Sequence, residues 1–345
     1  MRLGILGGGQ LGRMLALAAA RLGVDCHVYE PADAPAARVA DRWTRAAWDD
    51  AGALAAFGRD VDVVTYEWEN VPLAALDAIA APVRPGRRAL EVAQDRLPEK
   101  TFLRDLGIAT APFRAVDDLD GLRAASADLG GPGILKTRRL GYDGKGQARL
   151  AGPDDAEAAW DAVGRAPAVL EGVVDFASEV SVIAARSLDG AVAAYDPGAN
   201  VHADGILRTT TVPAPLPPAL RTDAALMAGR ILNALDYVGV IGVELFVTRA
   251  GLVANEIAPR VHNSGHWTQL GCAVDQFEQH VRAVCGMPLG DGSRHADVVM
   301  ENLIGDDVDR LPDLLAEGAQ VHLYGKGETR PGRKMGHVNR LAQRP

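Results

Sequence analysis

Short apolar runs alternate with helical stretches through the first third of the chain. Residues 3–6 read as a strand that ends in Gly7-Gly8-Gly9. Residues 10–22 follow, with Leu11, Met14, Leu15, Ala18 and Leu22 at three- and four-residue spacing. That spacing builds one apolar helix face, and Gly23 stops it. Residues 26–30, closed by Pro31, and residues 61–66 are two more strands, and 72–80 a further helix. Strands alternating with helices predict a parallel sheet covered by helices. Helical segments continue over 89–106, with Pro98 suited to a first turn.

The middle of the chain changes character. Gly131-Pro132-Gly133 leads into a strand over 134–137, and a glycine-rich loop comes next. A helix is predicted over 154–163 and strands over 169–174, 179–185 and 191–195, a compact α+β insert of the size of a mobile lid. After it come a helix over 219–235, a strand pair over 240–247 and 252–257, and a helix over 276–284. The segment 288–320 carries no usable motif. The expected architecture is α/β, with an N-terminal parallel domain over 1–95, a linker and lid over 96–190, and a mixed α+β domain over 191–345.

Composition narrows the chemistry. The 345 residues have a formal charge of −9, which disfavours a broad nucleic-acid surface. Three cysteines, Cys26, Cys272 and Cys285, include no C-x-x-C pair and read as small buried hydrophobes. No signal-peptide pattern and no membrane-length apolar run is seen, so a soluble cytoplasmic protein without membrane partners is expected. Lys and Arg total 36, yet the lysines are five: Lys100, Lys136, Lys145, Lys326 and Lys334.

Gly7-Gly8-Gly9-Gln10-Leu11-Gly12 satisfies G-x-G-x-x-G between a strand and a helix, and Glu30 ends the next strand. A dinucleotide is one reading. A helix N-terminus behind glycines suits any phosphate, a ribose 5′-phosphate included, and a tight turn with no ligand is the third. Downstream, Lys136 precedes Gly141, Tyr142, Asp143, Gly144, Lys145, Gly146 and Gln147. This glycine loop with a lysine can fold over a polyphosphate, although it is no Walker loop. Glu244 and Glu256 lie on two strands joined around Arg249-Ala250-Gly251. A three-residue turn with Gly251 in the left-handed conformation sets the two carboxylates opposite each other on one face. Two adjacent carboxylates repel, and a divalent cation relieves them, Mg²⁺ held jointly with phosphates being the expected form.

Long motifs then tie the chain to a known family. They start at Gly4 (GILGGGQLGRM), Thr65 (TYEWENVP), Gln94 (QDRLPEK), Lys136 (KTRRLGYDGKGQ), Asn255 (NEIAPRVHNSGH) and Gly332 (GRKMGHVN). They run nearly end to end, and the chain resembles the 5-(carboxyamino)imidazole ribonucleotide synthases, ATP-grasp ligases of purine biosynthesis. The resemblance implies an ATP-grasp fold with a dinucleotide-fold-like N-terminal domain. It implies ATP and Mg²⁺, with Mn²⁺ as alternative, and a homodimer coupled to a carboxyaminoimidazole ribonucleotide mutase. The implied reaction is ATP- and bicarbonate-dependent carboxylation of the exocyclic amine of 5-aminoimidazole ribonucleotide, by way of carboxyphosphate.

Carried over residue by residue, Arg96 and Lys136 contact ATP, and the loop from Gly141 to Gln147 closes over its phosphates. Glu171, Gly172, Val173 and Val174 offer a backbone edge to adenine, Glu179 takes the ribose, and His202 and Asn255 lie near the nucleotide, although strict strand alternation turns Asn255 away. Glu244 and Glu256 hold the metal. Arg260 and His262 hold bicarbonate and carboxyphosphate, His262 also as a proton acceptor or relay. Tyr142 and Asp143 orient the aminoimidazole. Lys334 and Arg340, with Arg333 as a third cation, bind the ribonucleotide phosphate together with the Gln10 and Leu11 amides, and Glu67 or Glu69 reaches its ribose. The other readings weighed are a formate-dependent ligase of the same fold, an NAD-dependent oxidoreductase and a non-catalytic nucleotide-binding protein.

Overall fold

A computed structural model describes residues 1–141 and 145–342, so Tyr142, Asp143 and Gly144 lie outside the described residues. Three sheets organise the chain. The first is parallel, in the order β3-β2-β1-β4, built from β1 (Arg2–Leu6), β2 (Asp25–Tyr29), β3 (Arg42–Thr44) and β4 (Val63–Tyr66). Its helices are α1 (Gln10–Arg21), α2 (Ala51–Arg59), α3 (Leu73–Asp77) and α4 (Arg87–Ala93). Leu11, Met14, Leu15 and Ala18 of α1 are buried, as their helical spacing requires. The turn before α1 reverses tightly because Gly7 adopts φ +102°, a region open to glycine.

Helix α5 (Arg96–Asp105) leaves this domain, with Asp95 capping it through the Leu97 N–H. An antiparallel sheet ordered β5-β8-β6-β7 follows, comprising β5 (Phe113–Val116), β6 (Gly133–Thr137), β7 (Gln147–Leu150) and β8 (Ala168–Gly172). Helices α6 (Leu119–Leu129) and α7 (Ala156–Ala162) cover it around Leu122, Leu135, Trp160 and Leu170. This is the lid-sized unit. It differs from the expected one at both ends: β5 and α6 join it, whereas the strands expected over 179–185 and 191–195 belong elsewhere.

They belong to a nine-stranded sheet, ordered β14-β13-β9-β11-β12-β15-β17-β16 with β10 beside β9. Its strands are β9 (Ser178–Arg186), β10 (Val192–Ala194), β11 (Gly198–Ala203), β12 (Ile206–Val212), β13 (Gly239–Thr248), β14 (Gly251–Ala258), β15 (Val298–Ile304), β16 (Gln320–Leu323) and β17 (Lys334–Leu341). Helices α8 (Pro218–Ala234), α9 (Thr268–Gly271), α10 (Gln276–Val284) and α11 (Leu311–Ala316) accompany it. The boundary expected at residue 190 therefore falls inside this sheet. The unread segment 288–320 supplies β15, whose Val298, Met300 and Leu303 are buried. Among the described residues no helix is long and apolar enough to cross a membrane.

Candidate active site

The three sheets meet around the first turn of α5 and the β13–β14 hairpin. Glu69, Asn70, Gln94, Arg96, Glu99, Arg138, Gly141, Glu256, Arg260 and His262 line one open cleft there. Glu244 pairs directly with Glu256 across the hairpin, as expected, but for a different reason. Thr248 pairs with Gly251, so the turn has two residues, and unbroken register would set Asn255 opposite Glu244. A bulge between Glu244 and Leu245 shifts β14 by one residue and restores Glu256 to that place. The same bulge corrects the expectation for Asn255. Glu179, Glu244 and Asn255 line one pocket, and Asn255 Oδ1 is buried without a hydrogen-bond donor among the described residues.

Charge is graded across this cluster. Burial and the facing Glu256 raise the Glu244 pKa. Burial would raise Glu256 too, but Arg96 and Lys136 reverse the effect and hold it low. Arg96 donates to Glu256 Oε2 at 3.1 Å and to the Gly141 carbonyl at 3.3 Å. Lys136, at the end of β6, donates to Glu171 Oε2 at 3.1 Å, and burial lowers its pKa despite that partner. Glu179 and His202 sit on neighbouring strands with His202 Nδ1 2.7 Å from Glu179 Oε2. Burial lowers the His202 pKa, and Glu179 more than offsets it, so the net shift is upward.

His262 departs from its expected role. Burial and then Arg260 lower its pKa to about 3, so the ring is neutral near pH 7. Its Nδ1 accepts weakly from the Ser264 N–H at 3.4 Å and lies 2.8 Å from Ser264 Oγ. This leaves Nε2 as the donor, 3.4 Å from Glu244 Oε1. His262 is therefore a placed N–H donor in this state and not a ready proton acceptor. Gln276 fixes its backbone, accepting from the His262 N–H at 2.9 Å and donating to its carbonyl at 2.7 Å. Arg260 is ion-paired with Glu69. Lys334 opens β17 and adds positive charge beside His202 and His262.

Other sequence-derived roles shift. Glu67 is 7% exposed and accepts the Gly9 and Gly12 N–H groups at 2.9 and 3.1 Å. It caps α1 from within and does not face a ribose. Glu30 likewise accepts the Gly8 N–H at 3.0 Å. The Gln10 and Leu11 amides are left without a partner among the described residues, as a phosphate there requires. Arg340 is not brought to the cleft: it reaches Glu301 at 2.9 Å and Glu317 at 3.3 Å near the far end of β17. The adenine edge narrows, because the Gly172 and Val173 amides donate to the Pro112 and Pro132 carbonyls. Glu171 instead turns a buried carboxylate to Lys100 and Lys136, each at 3.1 Å. Gly146 and Gln147 build the β6–β7 hairpin, with the Thr137 N–H donating to the Gly146 carbonyl at 2.8 Å and Gln147 paired to Lys136. Lys145 lies in the turn between them.

In the sequence Glu99 carries no assigned role, and Lys100 stands only as one of the five lysines, inside a matched motif. Both are buried on the α5 face that also carries Leu103. Two charged residues on an apolar helical stripe are the signal that identifies them.

Family models match most of the chain: a ribonucleotide synthetase preATP-grasp domain over residues 1–94, an ATP-grasp domain over 101–277 and a phosphoribosylaminoimidazole carboxylase C-terminal domain over 298–345. An N5-carboxyaminoimidazole ribonucleotide synthase of Brucella melitensis is 58% identical, covering 99% of this chain and 96% of its own. A bifunctional purine synthesis protein of Dictyostelium discoideum is 42% identical over 97% of this chain, which corresponds to 36% of its own length. The crystal structure of an Aspergillus clavatus N5-carboxyaminoimidazole synthase with ADP and 5-aminoimidazole ribonucleotide superposes with a TM-score of 0.91 at 32% identity, covering 99% of this chain and 93% of the other. With an ATP-grasp fold and these relatives, the chain belongs to the N5-carboxyaminoimidazole ribonucleotide synthase family.

Proposed function

We propose that the chain carboxylates the exocyclic amine of 5-aminoimidazole ribonucleotide with bicarbonate and ATP, releasing ADP and phosphate. The observation that carries this reading is the Glu244–Glu256 pair with the unpartnered Asn255 Oδ1 beside it, facing Arg96 and Lys136. Among the described residues no three His, Cys, Asp or Glu side chains are grouped to hold a metal alone. Two carboxylates and an amide oxygen do suit Mg²⁺, or Mn²⁺, shared with a polyphosphate. When bound there, such a cation neutralises charge on the transferring phosphoryl group.

The chain's own residues supply the rest. Arg96 and Lys136 set cationic donors along the nucleotide phosphates, and Val174, Glu179 and His202 form the wall for its base and ribose. Bicarbonate oxygen bonds to the γ-phosphorus as the bond to ADP breaks, giving carboxyphosphate. Arg260 presents a fork suited to that oxyanion, and the neutral His262 adds an Nε2–H. The amine nitrogen of the ribonucleotide then bonds to the carboxyl carbon, of carboxyphosphate as its bond to phosphate breaks or of CO₂ already released together with that phosphate, and loses a proton. The lid excludes water from this step. Lys334 and the Gln10 and Leu11 amides bind the ribonucleotide phosphate, and Tyr142 and Asp143 orient the aminoimidazole. The enzyme acts in the cytoplasm as a homodimer and passes its product to a carboxyaminoimidazole ribonucleotide mutase.

ADP release by the purified protein tests this. Turnover requires bicarbonate and 5-aminoimidazole ribonucleotide together. Equal turnover with formate, or none with any combination, overturns it.

A further inference from the structure

Two adjacent residues of α5 grip β14 on either side of Glu256. Glu99 Oε1 accepts the Ile257 N–H at 2.6 Å, and Lys100 Nζ donates to the Asn255 carbonyl at 2.8 Å. The two side chains are 2% and 0% exposed. β14 is an edge strand, so backbone groups on its outer side have no strand to pair with. One more tether acts on that side, where the Ala254 N–H donates to the Ala109 carbonyl at 2.7 Å. The bulge that brings Glu256 opposite Glu244 thus lies between backbone groups held from α5.

The grip continues into the lid. Lys100 Nζ is 3.1 Å from Glu171 Oε2 on β8, and the same oxygen takes Lys136 of β6. Arg96, one turn earlier on α5, joins Glu256 to the Gly141 carbonyl. An apolar pair of similar volume would fill the space under α5 without the desolvation cost of burying charge. It would leave the Asn255 carbonyl and Ile257 amide without these partners.

We infer that Glu99 and Lys100 are positioning residues for phosphoryl transfer: they hold the β14 bulge that turns Asn255 and Glu256 to the cleft, and through Glu171 they tie that geometry to the lid. The inference rests on reading Glu244, Asn255 and Glu256 as the cation and nucleotide ligands. Neither residue is assigned a contact with substrate. Partners that orient metal ligands typically account for about 10–100-fold in metal affinity.

The test compares Glu99→Ala, which removes the acceptor, with Glu99→Gln, which keeps one in place. Calorimetric titration with Mn²⁺ and ADP is paired with amide hydrogen exchange on ligand-free protein. Glu99→Ala weakens Mn²⁺·ADP binding by about tenfold, leaves metal-free ADP binding unchanged and speeds exchange at the Ile257 amide. Glu99→Gln restores both readouts. Lys100→Met carries the same binding expectation and serves where Glu99→Ala does not fold. Wild-type affinity for Mn²⁺·ADP in Glu99→Ala and Lys100→Met, an equal loss of metal-free ADP binding, or no rescue by Gln overturns the inference. Wild-type protein that binds ADP but shows no Mn²⁺ enhancement overturns the underlying cation site instead.

Discussion

The turn into α1 and the β13–β14 hairpin both gather glutamates against the backbone, and they treat them in opposite ways. At α1, Glu67 accepts two N–H groups and Glu30 a third, so the carboxylates meet donors within the fold. At the hairpin, Glu244 faces Glu256 while Asn255 Oδ1 has no donor among the described residues. The first arrangement completes a helix terminus. The second concentrates acceptors beside Arg96 and Lys136, and the proposed cation site rests on that arrangement. Burial of a carboxylate therefore says little about function until its donors are counted.

The largest effect that would break this contrast is in Glu256→Gln. Turnover falls by about 10²–10³-fold, the scale of losing one group that stabilises the transition state, with the fold retained. Assayed ADP release near the wild-type rate would remove the cation-pair argument. Glu67→Ala does the reverse. It orphans the buried Gly12 amide and the part-buried Gly9 amide, at a cost of about 1–3 kcal/mol for the buried one, so the unfolding midpoint drops while Mg²⁺·ADP affinity holds. A loss of nucleotide affinity with unchanged stability would place Glu67 in the site.

The seam between the two regions sharpens the comparison through pH. His280 lies 2.7 Å from Thr65 Oγ1 of β4 and accepts the Val240 N–H of β13 at 3.0 Å. Burial lowers its pKa to about 3. Its folded value lies below its unfolded one, so the unfolded chain binds the extra proton between pH 6.5 and 3. Stability is fully present above pH 6.5 and is lost as pH falls through that window, by up to about 1.4 kcal/mol per pH unit. Denaturation midpoints at pH 7.5, 5.5 and 4.5 check this, and His280→Gln flattens the slope. The smallest effect is Arg340→Ala. Its partly exposed pairs contribute about 0–1 kcal/mol, and KM for the ribonucleotide stays within twofold. A tenfold rise would restore Arg340 to the substrate site.

Much of the fold could be read from periodicity. The apolar runs before Gly7, Pro31 and Glu67 became β1, β2 and β4, and the stripe from Leu11 to Ala18 became the buried face of α1. The segment that forms β15 carries no motif, and its alternation is masked because the buried positions Val298, Met300 and Asn302 include a polar residue. The sequence pattern extends the lid too far toward the C-terminus because β9 and β10 follow it directly in the chain. Whether a strand joins the sheet before or after it depends on partners distant in sequence, as β9 shows by pairing with β13.

At the site, residue types and spacing single out Lys136, Glu244 and Glu256, and the family resemblance adds Arg96, Arg260 and His262. Four lysines, Lys100, Lys136, Lys145 and Lys334, also fall in the matched motifs, and two of them meet at Glu171. Only the tertiary structure decided what surrounds each group. Gly9 meets Glu67 across 58 residues, a bulge and not the turn length sets Glu256 opposite Glu244, and burial beside Arg260 makes His262 a neutral donor. Local periodicity records which face of an element is buried. Donor counts, register shifts and pKa values depend on atoms that arrive from elsewhere in the chain.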